Sequence, residues 1–274
     1  MTWVIEPGVK TALGVIGNIT ALGLFLAPVK TFVRILRVRG VEDFSCLPYL
    51  VTFLNCSLWT FYGLPVVTRS AILVATINAV GTALALSYCL IYITHAPPPQ
   101  QRRTGALLAA EGLGLAAVVL IVLLAFPFHM RTTVVGIVAV VVTIGMYCAP
   151  LGKLRQVVRD RSVEYMPFLL SLNVLLNATA WTVYAVYAHD IYVLIPNALG
   201  VLLGTAQLVL YAWYCKERPA PVADTESGRG GSSTRGGAAL HKNLSARQLL
   251  GRTLSTGEKG GGEEIEIGNG LDSK

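Results

Sequence analysis

The chain has 274 residues, 54% of them hydrophobic and 14% charged, with a formal net charge of +7. That balance excludes an ordinary soluble domain, and apolar runs of about 20 residues fit helices that cross roughly 30 Å of hydrocarbon. The positive charge does not signal nucleic acid, because the basic residues fall in short segments between apolar runs and in the tail rather than on one face of a folded domain.

In chain order, spans are predicted at 11–32, 46–67, 71–93, 105–126, 133–152, 166–187 and 191–214. The first lacks a basic leader and is too long for a cleaved signal peptide, so it is expected to stay as a membrane anchor. The loop after it carries Lys30, Arg34, Arg37 and Arg39, and the loop after the fifth span carries Lys153, Arg155, Arg159 and Arg161. Arg102 and Arg103 fall on the same side, whereas the other side has Lys10, Arg69 and Arg131. The positive-inside rule therefore predicts an outside N-terminus and a cytosolic C-terminus. From Lys216 the composition turns to Gly, Ser and charge, which predicts a disordered cytosolic tail over 216–274. The five cysteines are odd in number and lack metal-ligand spacing, so they are expected to pack. No metal or cofactor is expected. No phosphate loop or nucleophile with a base is present, so the chain does not read as an enzyme.

The chain repeats itself. Leu54-Asn55-Cys56-Ser57-Leu58-Trp59-Thr60 returns as Leu176-Asn177-Ala178-Thr179-Ala180-Trp181-Thr182, with Tyr62 and Tyr184 beyond, at an offset of 122 residues. Gly14, Gly23, Ala27, Pro28, Val41 and Glu42 reappear as Gly136, Gly145, Ala149, Pro150, Val163 and Glu164 at the same offset. Asn78-Ala79-Val80-Gly81 returns as Asn197-Ala198-Leu199-Gly200 at an offset of 119, which fits a shorter outer loop in the second half. Three helices are an odd number, so two copies can share one orientation only if a further helix intervenes. The expected fold is all-α: seven transmembrane helices as two parallel three-helix repeats joined by a linker helix. The expected domains are a first repeat at 1–95, the linker with its span at 96–132, a second repeat at 133–215 and the tail at 216–274.

Lipid gives no reason to repeat an Asn and a Trp four residues apart on one helical face. Asn78 and Asn197 lie about seven residues into their spans, roughly 10 Å deep at 1.5 Å per residue. Trp59 and Trp181 reach a similar level from the opposite side. Two amides and two indoles are thus expected around one cavity near the axis of the duplication. Amides exchange hydrogen bonds with hydroxyls, and aromatic faces pack on the C–H face of a pyranose. The competing role for each Asn is a bond to a neighbouring helix, worth about 0.6 kcal/mol in membrane proteins.

These stretches carry a resemblance. Gly17-Asn18 with Phe25-Leu26-Ala27-Pro28, Pro48-Tyr49, Tyr62-Gly63-Leu64-Pro65, Thr76-Ile77-Asn78, Met146-Tyr147, Ser162-Val163-Glu164-Tyr165-Met166-Pro167-Phe168 and Ile195-Pro196-Asn197 resemble the SWEET, or MtN3/saliva, sugar transporters of the long plant type. The match covers about residues 10–215. The resemblance implies a sugar substrate, with Asn78, Asn197, Trp59 and Trp181 at its site, and homo-oligomers or hetero-oligomers with family members in the bilayer. It also implies that Pro28, Pro48, Pro150 and Pro167 form a gating tetrad near the cytosolic ends of the spans. On the outer side, Tyr62, Arg69 and Asp190 are expected to close the cavity through a hydrogen-bonded charge pair, with better support for Tyr62 and Asp190 than for Arg69.

Away from span ends, the acidic residue within a span is Glu111, and no histidine lies inside one. A proton-coupled carrier needs a titratable intramembrane group at its site. Facilitated, bidirectional diffusion is expected instead. Asn55 and Asn177, one turn from the tryptophans, and Leu24 and Met146, four residues before Pro28 and Pro150, should form the cavity's next layer. Sucrose carriers of the family tend to have smaller residues at several of these positions, so a hexose such as glucose is expected, with a sucrose-carrying member as the alternative. A seven-helix receptor shares the predicted topology but not the internal repeat. Amino-acid or cystine exporters of similar arrangement carry Pro-Gln where this chain has Pro28-Val29 and Pro150-Leu151. The plasma membrane is the expected location, with the vacuolar or another internal membrane as alternatives.

Overall fold

The computed structural model describes residues 7–163 and 166–215. Glu164 and Tyr165 of the repeat and motif, and the tail from Lys216, lie outside them. Among the described residues the chain forms α1 (Pro7–Leu26), α2 (Val29–Val38), α3 (Leu47–Gly63), α4 (Ile72–His95), α5 (Pro98–Ala125), α6 (Phe128–Met146), α7 (Cys148–Asp160), α8 (Phe168–Ala188) and α9 (Ile191–Tyr214), with no strand. The seven spans are α1 with the start of α2, α3, α4, α5, α6 with the start of α7, α8 and α9. Six of them are long and apolar enough to cross a membrane by length and composition alone. The seventh, α3, has 17 residues against 21 in its repeat counterpart α8. At 1.5 Å per residue that reaches about 25 Å, the short end of what crosses a bilayer.

Two expectations need correcting. The ranges 11–32 and 133–152 are not single continuous helices, because each breaks around a proline. Pro28 has no N–H for the Leu24 carbonyl, so α1 stops at Leu26 and a new helix starts with Thr31 N donating to the Pro28 carbonyl at 2.9 Å. Pro150 likewise cannot serve Met146, the last residue of α6, and falls within the first turn of α7. In addition, most of the basic residues assigned to loops lie on helices: Lys30, Arg34 and Arg37 on α2, and Lys153, Arg155 and Arg159 on α7. Helix continues past each proline because an apolar stripe remains to be buried, Phe32 and Ile35 on α2 and Val157 on α7. Arg39 and Arg161, 122 residues apart, end these helices in the left-handed region at φ 55° and 48°.

Within each repeat the third helix packs between the other two, α4 between α1 and α3, and α9 between α6 and α8. A Cβ on Gly81 would lie 2.6 Å from the Phe25 ring and 2.8 Å from the Cys56 sulfur. At Gly200 it would lie 3.1 Å from both the Tyr147 hydroxyl and the Ala178 Cβ. Phe25 and Tyr147 are repeat counterparts, as are Cys56 and Ala178, so both copies of Asn-Ala-x-Gly end in glycine because that spot receives a ring from the first helix. The repeats then meet twice, α1 on α8 and α3 on α6, and close a ring. The linker α5 leans on α4 and α3 and also touches α6. Arg131 secures its end by donating to the carbonyls of Leu123 at 3.0 Å and Phe126 at 3.1 Å, which a helix end leaves unpaired, and ties it to the α3–α4 turn through the Val66 carbonyl at 3.2 Å.

We call the face where α1 begins the upper face and the face carrying the basic helices the lower face. Toward the upper face one hydrophobic core joins both repeats and α5, from Trp59 and Tyr62 to Val122, Val135, Trp181 and Tyr184. Toward the lower face the cores are separate. One gathers Phe32, Ile35, Leu50 and Tyr88 in the first repeat, the other Val157, Val163 and Met166 in the second. The halves are therefore sealed together above and parted below.

Candidate functional site

A cavity of about 450 Å³ lies between the repeats, within the range of small-molecule sites. Every helix of the ring contributes to its wall, and α5 does not. All eight residues expected at the substrate site line it: Asn78, Asn197, Trp59 and Trp181, and Asn55, Asn177, Leu24 and Met146. No charged side chain is in the wall. Glu111 stands outside it on α5, with its Oε2 buried and unpaired.

The two repeats prepare these groups in the same way. Asn78 Nδ2 donates to the carbonyl of Val74 at 2.8 Å, and Asn197 Nδ2 donates to that of Val193 at 2.8 Å. Each amide is thus steadied by its own helix one turn back rather than by a neighbouring one, and keeps a carbonyl oxygen and a second N–H for other partners. Each indole is met edge-on by the tyrosine three residues later, Tyr62 on Trp59 at 5.2 Å and 75°, and Tyr184 on Trp181 at 5.1 Å and 76°. Residues three apart share a helical face, which is why the tyrosine belongs to the repeated motif.

Above the cavity, the Tyr62 hydroxyl reaches the Asp190 carboxylate at 2.8 and 2.9 Å. Asp190 also caps α9, accepting from the backbone N–H of Tyr192 and of Val193 at 3.1 Å each. Arg69 is placed elsewhere than expected: its guanidinium lies 4.9 Å from the centroid of the Phe128 ring. The expected charge pair with Asp190 is not formed, because the carboxylate is turned to Tyr62 and the α9 backbone. A second cross-repeat contact had no place in the sequence reading. The Tyr184 hydroxyl donates to the Ser70 carbonyl at 3.5 Å, and Lys10 donates to the same carbonyl at 3.3 Å. Tyr184 is Tyr62 plus 122, so the repeat itself carried the signal. Each tyrosine reaches the entry of the other repeat's third helix.

Of the proline tetrad, Pro150 lines the cavity, whereas Pro28, Pro48 and Pro167 are not in its wall. Pro28 precedes α2, Pro48 is in the first turn of α3 and Pro167 precedes α8. Three further residues join the site: Tyr147, which donates to the Pro196 carbonyl; Thr143, bonded to Trp59 and Asn55; and Thr20, bonded to Asn177. No local pattern marks the two threonines, since each acts on the opposite repeat.

A duplicated seven-helix membrane bundle around one uncharged cavity of amides and indoles is the architecture of a small-solute transporter with parallel repeats. The family described as sugar efflux transporters for intercellular exchange, MtN3/saliva, matches residues 11–100 and 133–219, the two repeats without most of the linker. The bidirectional sugar transporter SWEET4 of Oryza sativa subsp. indica is 47% identical over 209 residues, 76% of this chain and 81% of that protein. The bidirectional sugar transporter SWEET8 of Arabidopsis thaliana is 44% identical over 215 residues, 77% and 90% of the two chains. A solved eukaryotic SWEET transporter is similar at a TM-score of 0.74 and 39% identity, covering 76% of this chain and 97% of the other. The chain belongs to the SWEET family, itself a standing example of parallel repeats. Its relatives are transporters and not enzymes.

Proposed function

We propose that this chain is a bidirectional, facilitative sugar carrier that prefers a hexose such as glucose and works by alternating access. The observation that carries the reading is the pairing of Asn78 with Asn197 and of Trp59 with Trp181 in one uncharged cavity on the duplication axis. Paired amides suit the hydroxyls of a sugar and paired indoles its C–H faces. The preference for hexose rests on the lower layer of Asn55, Asn177, Leu24 and Met146, whose side chains crowd a second sugar ring. Weak binding near millimolar, about −4 kcal/mol, suits a carrier that must release its cargo on either side. The lower face, with its basic helices, is then cytosolic and the upper face outside, in the plasma membrane. We divide the chain into repeats at 1–95 and 133–215 with a linker at 96–132 and a tail at 216–274, and expect homo-oligomers or hetero-oligomers with family members.

The test is uptake of radiolabelled glucose, fructose and sucrose into cells that lack their own hexose carriers. Glucose should equilibrate and not accumulate, and the flux should survive an uncoupler. Accumulation abolished by the uncoupler would overturn the facilitative mechanism, and sucrose flux equal to that of glucose would overturn the size argument.

In this reading the four prolines permit the lower ends of the helices to close, and the contacts of Tyr62 and Tyr184 hold the upper side shut. A hydrogen bond to a charged group is worth about 1.5–3 kcal/mol. Tyr62→Phe is therefore expected to raise the population open at the upper face about ten-fold or more. A cysteine placed at Val193, which lines the cavity, should then be labelled correspondingly faster by an impermeant thiol reagent added from the upper side. Unchanged labelling means that the hydroxyl does not hold this side closed.

A further inference from the structure

The Asn and the Trp of the repeated motif stand one turn apart on α3, and one hydroxyl from the other repeat serves both. The Trp59 Nε1–H donates to Thr143 Oγ1 at 2.9 Å, and Thr143 Oγ1 is 2.7 Å from Asn55 Oδ1 and 2.8 Å from the Ala139 carbonyl. An indole N–H is a donor only, so the hydroxyl accepts there and keeps its proton for Asn55, with its own helix as the alternative acceptor. The second copy is built differently. Asn177 Oδ1 accepts from Thr20 at 3.0 Å, while Trp181 lies against Gly17, where a Cβ would come within 2.8 Å of the ring. The residue related to Thr143 by the offset of 122 is Ala21, which has no hydroxyl.

We propose that Thr143 is a positioning residue. It fixes the plane of Trp59 and turns the Asn55 amide so that its NH2 group, not its oxygen, is offered to the sugar. The proposal rests on the reading of the cavity as a sugar site. Tyr62 sets the ring from above by its edge-on contact, and Thr143 sets it from the side, so the indole has little rotation left. Because α6 belongs to the opposite repeat, the orientation of Trp59 is tied to how the halves are docked. Thr143 thereby makes the first half of the aromatic clamp depend on the α3–α6 interface, whereas Trp181 is held by packing against a glycine.

The experiment compares Thr143→Val, of equal shape but without the hydroxyl, with Thr143→Ser, which keeps it, in the full chain and at equal surface amount. Thr143→Val should raise the KM for glucose about five-fold, the effect of one neutral hydrogen bond, and Thr143→Ser should restore it. Trp59→Phe keeps a ring but loses the N–H. Adding Thr143→Val to it should therefore raise KM by less than the five-fold seen alone, because only the hold on Asn55 is then left to lose. Unchanged KM in Thr143→Val, or multiplying effects in the double variant, would overturn the proposal. A second arm needs no sugar. In protein labelled with 15N-tryptophan, the indole resonance missing from Trp59→Phe should move upfield in Thr143→Val and return in Thr143→Ser. A resonance that stays in place overturns the positioning role, even if glucose is carried. Absence of glucose flux in the unmodified chain overturns instead the carrier reading, and the resonance then decides the role of Thr143. If Thr143→Val fails to reach the membrane, Thr143→Ala is read in the same two ways.

Discussion

Gly63→Ala is expected to remove most of the folded protein from the membrane, although it adds a single methyl group. Gly63 closes α3 just before the turn into α4, and a Cβ there would lie 2.6 Å from the backbone nitrogen of Ala75, 2.7 Å from the carbonyl oxygen of Ala71 and 2.9 Å from the Ala75 Cβ. Two of these three atoms are main chain at the start of α4, one of its cap residue Ala71 and one of Ala75, so no side chain can rotate away. Relief requires that α3 and α4 separate. These helices share one of the most extensive packing surfaces in the molecule, and Tyr62 next to Gly63 is fully buried. Overpacking of a closed core costs about 1–3 kcal/mol and sometimes more, a large share of the stability of a domain. Gly40, around which a Cβ would meet nothing within 4 Å, is the matched control. Gly40→Ala should leave the yield of monodisperse, detergent-solubilised protein unchanged while Gly63→Ala lowers it several-fold. Equal yields would mean that the α3–α4 turn is looser than its geometry implies.

Asn78→Ala combined with Asn197→Ala should abolish most of the transport without touching the fold. In each amide one N–H is spent on a carbonyl of its own helix at 2.8 Å. Val74 and Val193 keep their backbone helical partners when that bond is lost, so no buried acceptor is stranded. What disappears is the pair of steadied amides facing the cavity. At about 0.5–1.5 kcal/mol for each lost hydrogen bond, the double variant should lose roughly five-fold to more than a hundred-fold in glucose flux. The check is flux per surface molecule together with the thermal midpoint of the purified protein. Full flux would assign the two amides to helix stability, and a fall in the midpoint matching the fall in flux would do the same.

Much of this site was legible before any coordinates because duplication writes geometry into sequence. Two residues that recur at one offset in parallel repeats must face each other across the axis, so Asn55 with Asn177, Asn78 with Asn197 and Trp59 with Trp181 could be placed around one cavity from their spacing. Leu24 and Met146 followed from their distance to prolines, and those prolines do break their helices. The seven spans followed from apolar length. The family resemblance added what spacing could not supply, above all the expectation of a sugar.

By itself, then, the sequence determined what lies within each repeat: the helices, the steadied amides and the tyrosine above each indole, all governed by residues three or four apart on one helix. Apart from that of Tyr62 with Asp190, which was expected from the sequence, contacts between the repeats were decided by the tertiary structure. Thr143 and Thr20 reach Asn55 and Asn177 from the opposite half and are 123 residues apart rather than 122, so no periodicity exposes them. Arg69 leaves Asp190 for the Phe128 ring because Tyr62 and two backbone N–H groups already hold that carboxylate. The closed upper side and parted lower side belong to the same category. Neither half closes the cavity by itself, so which side is sealed depends on how one half docks on the other.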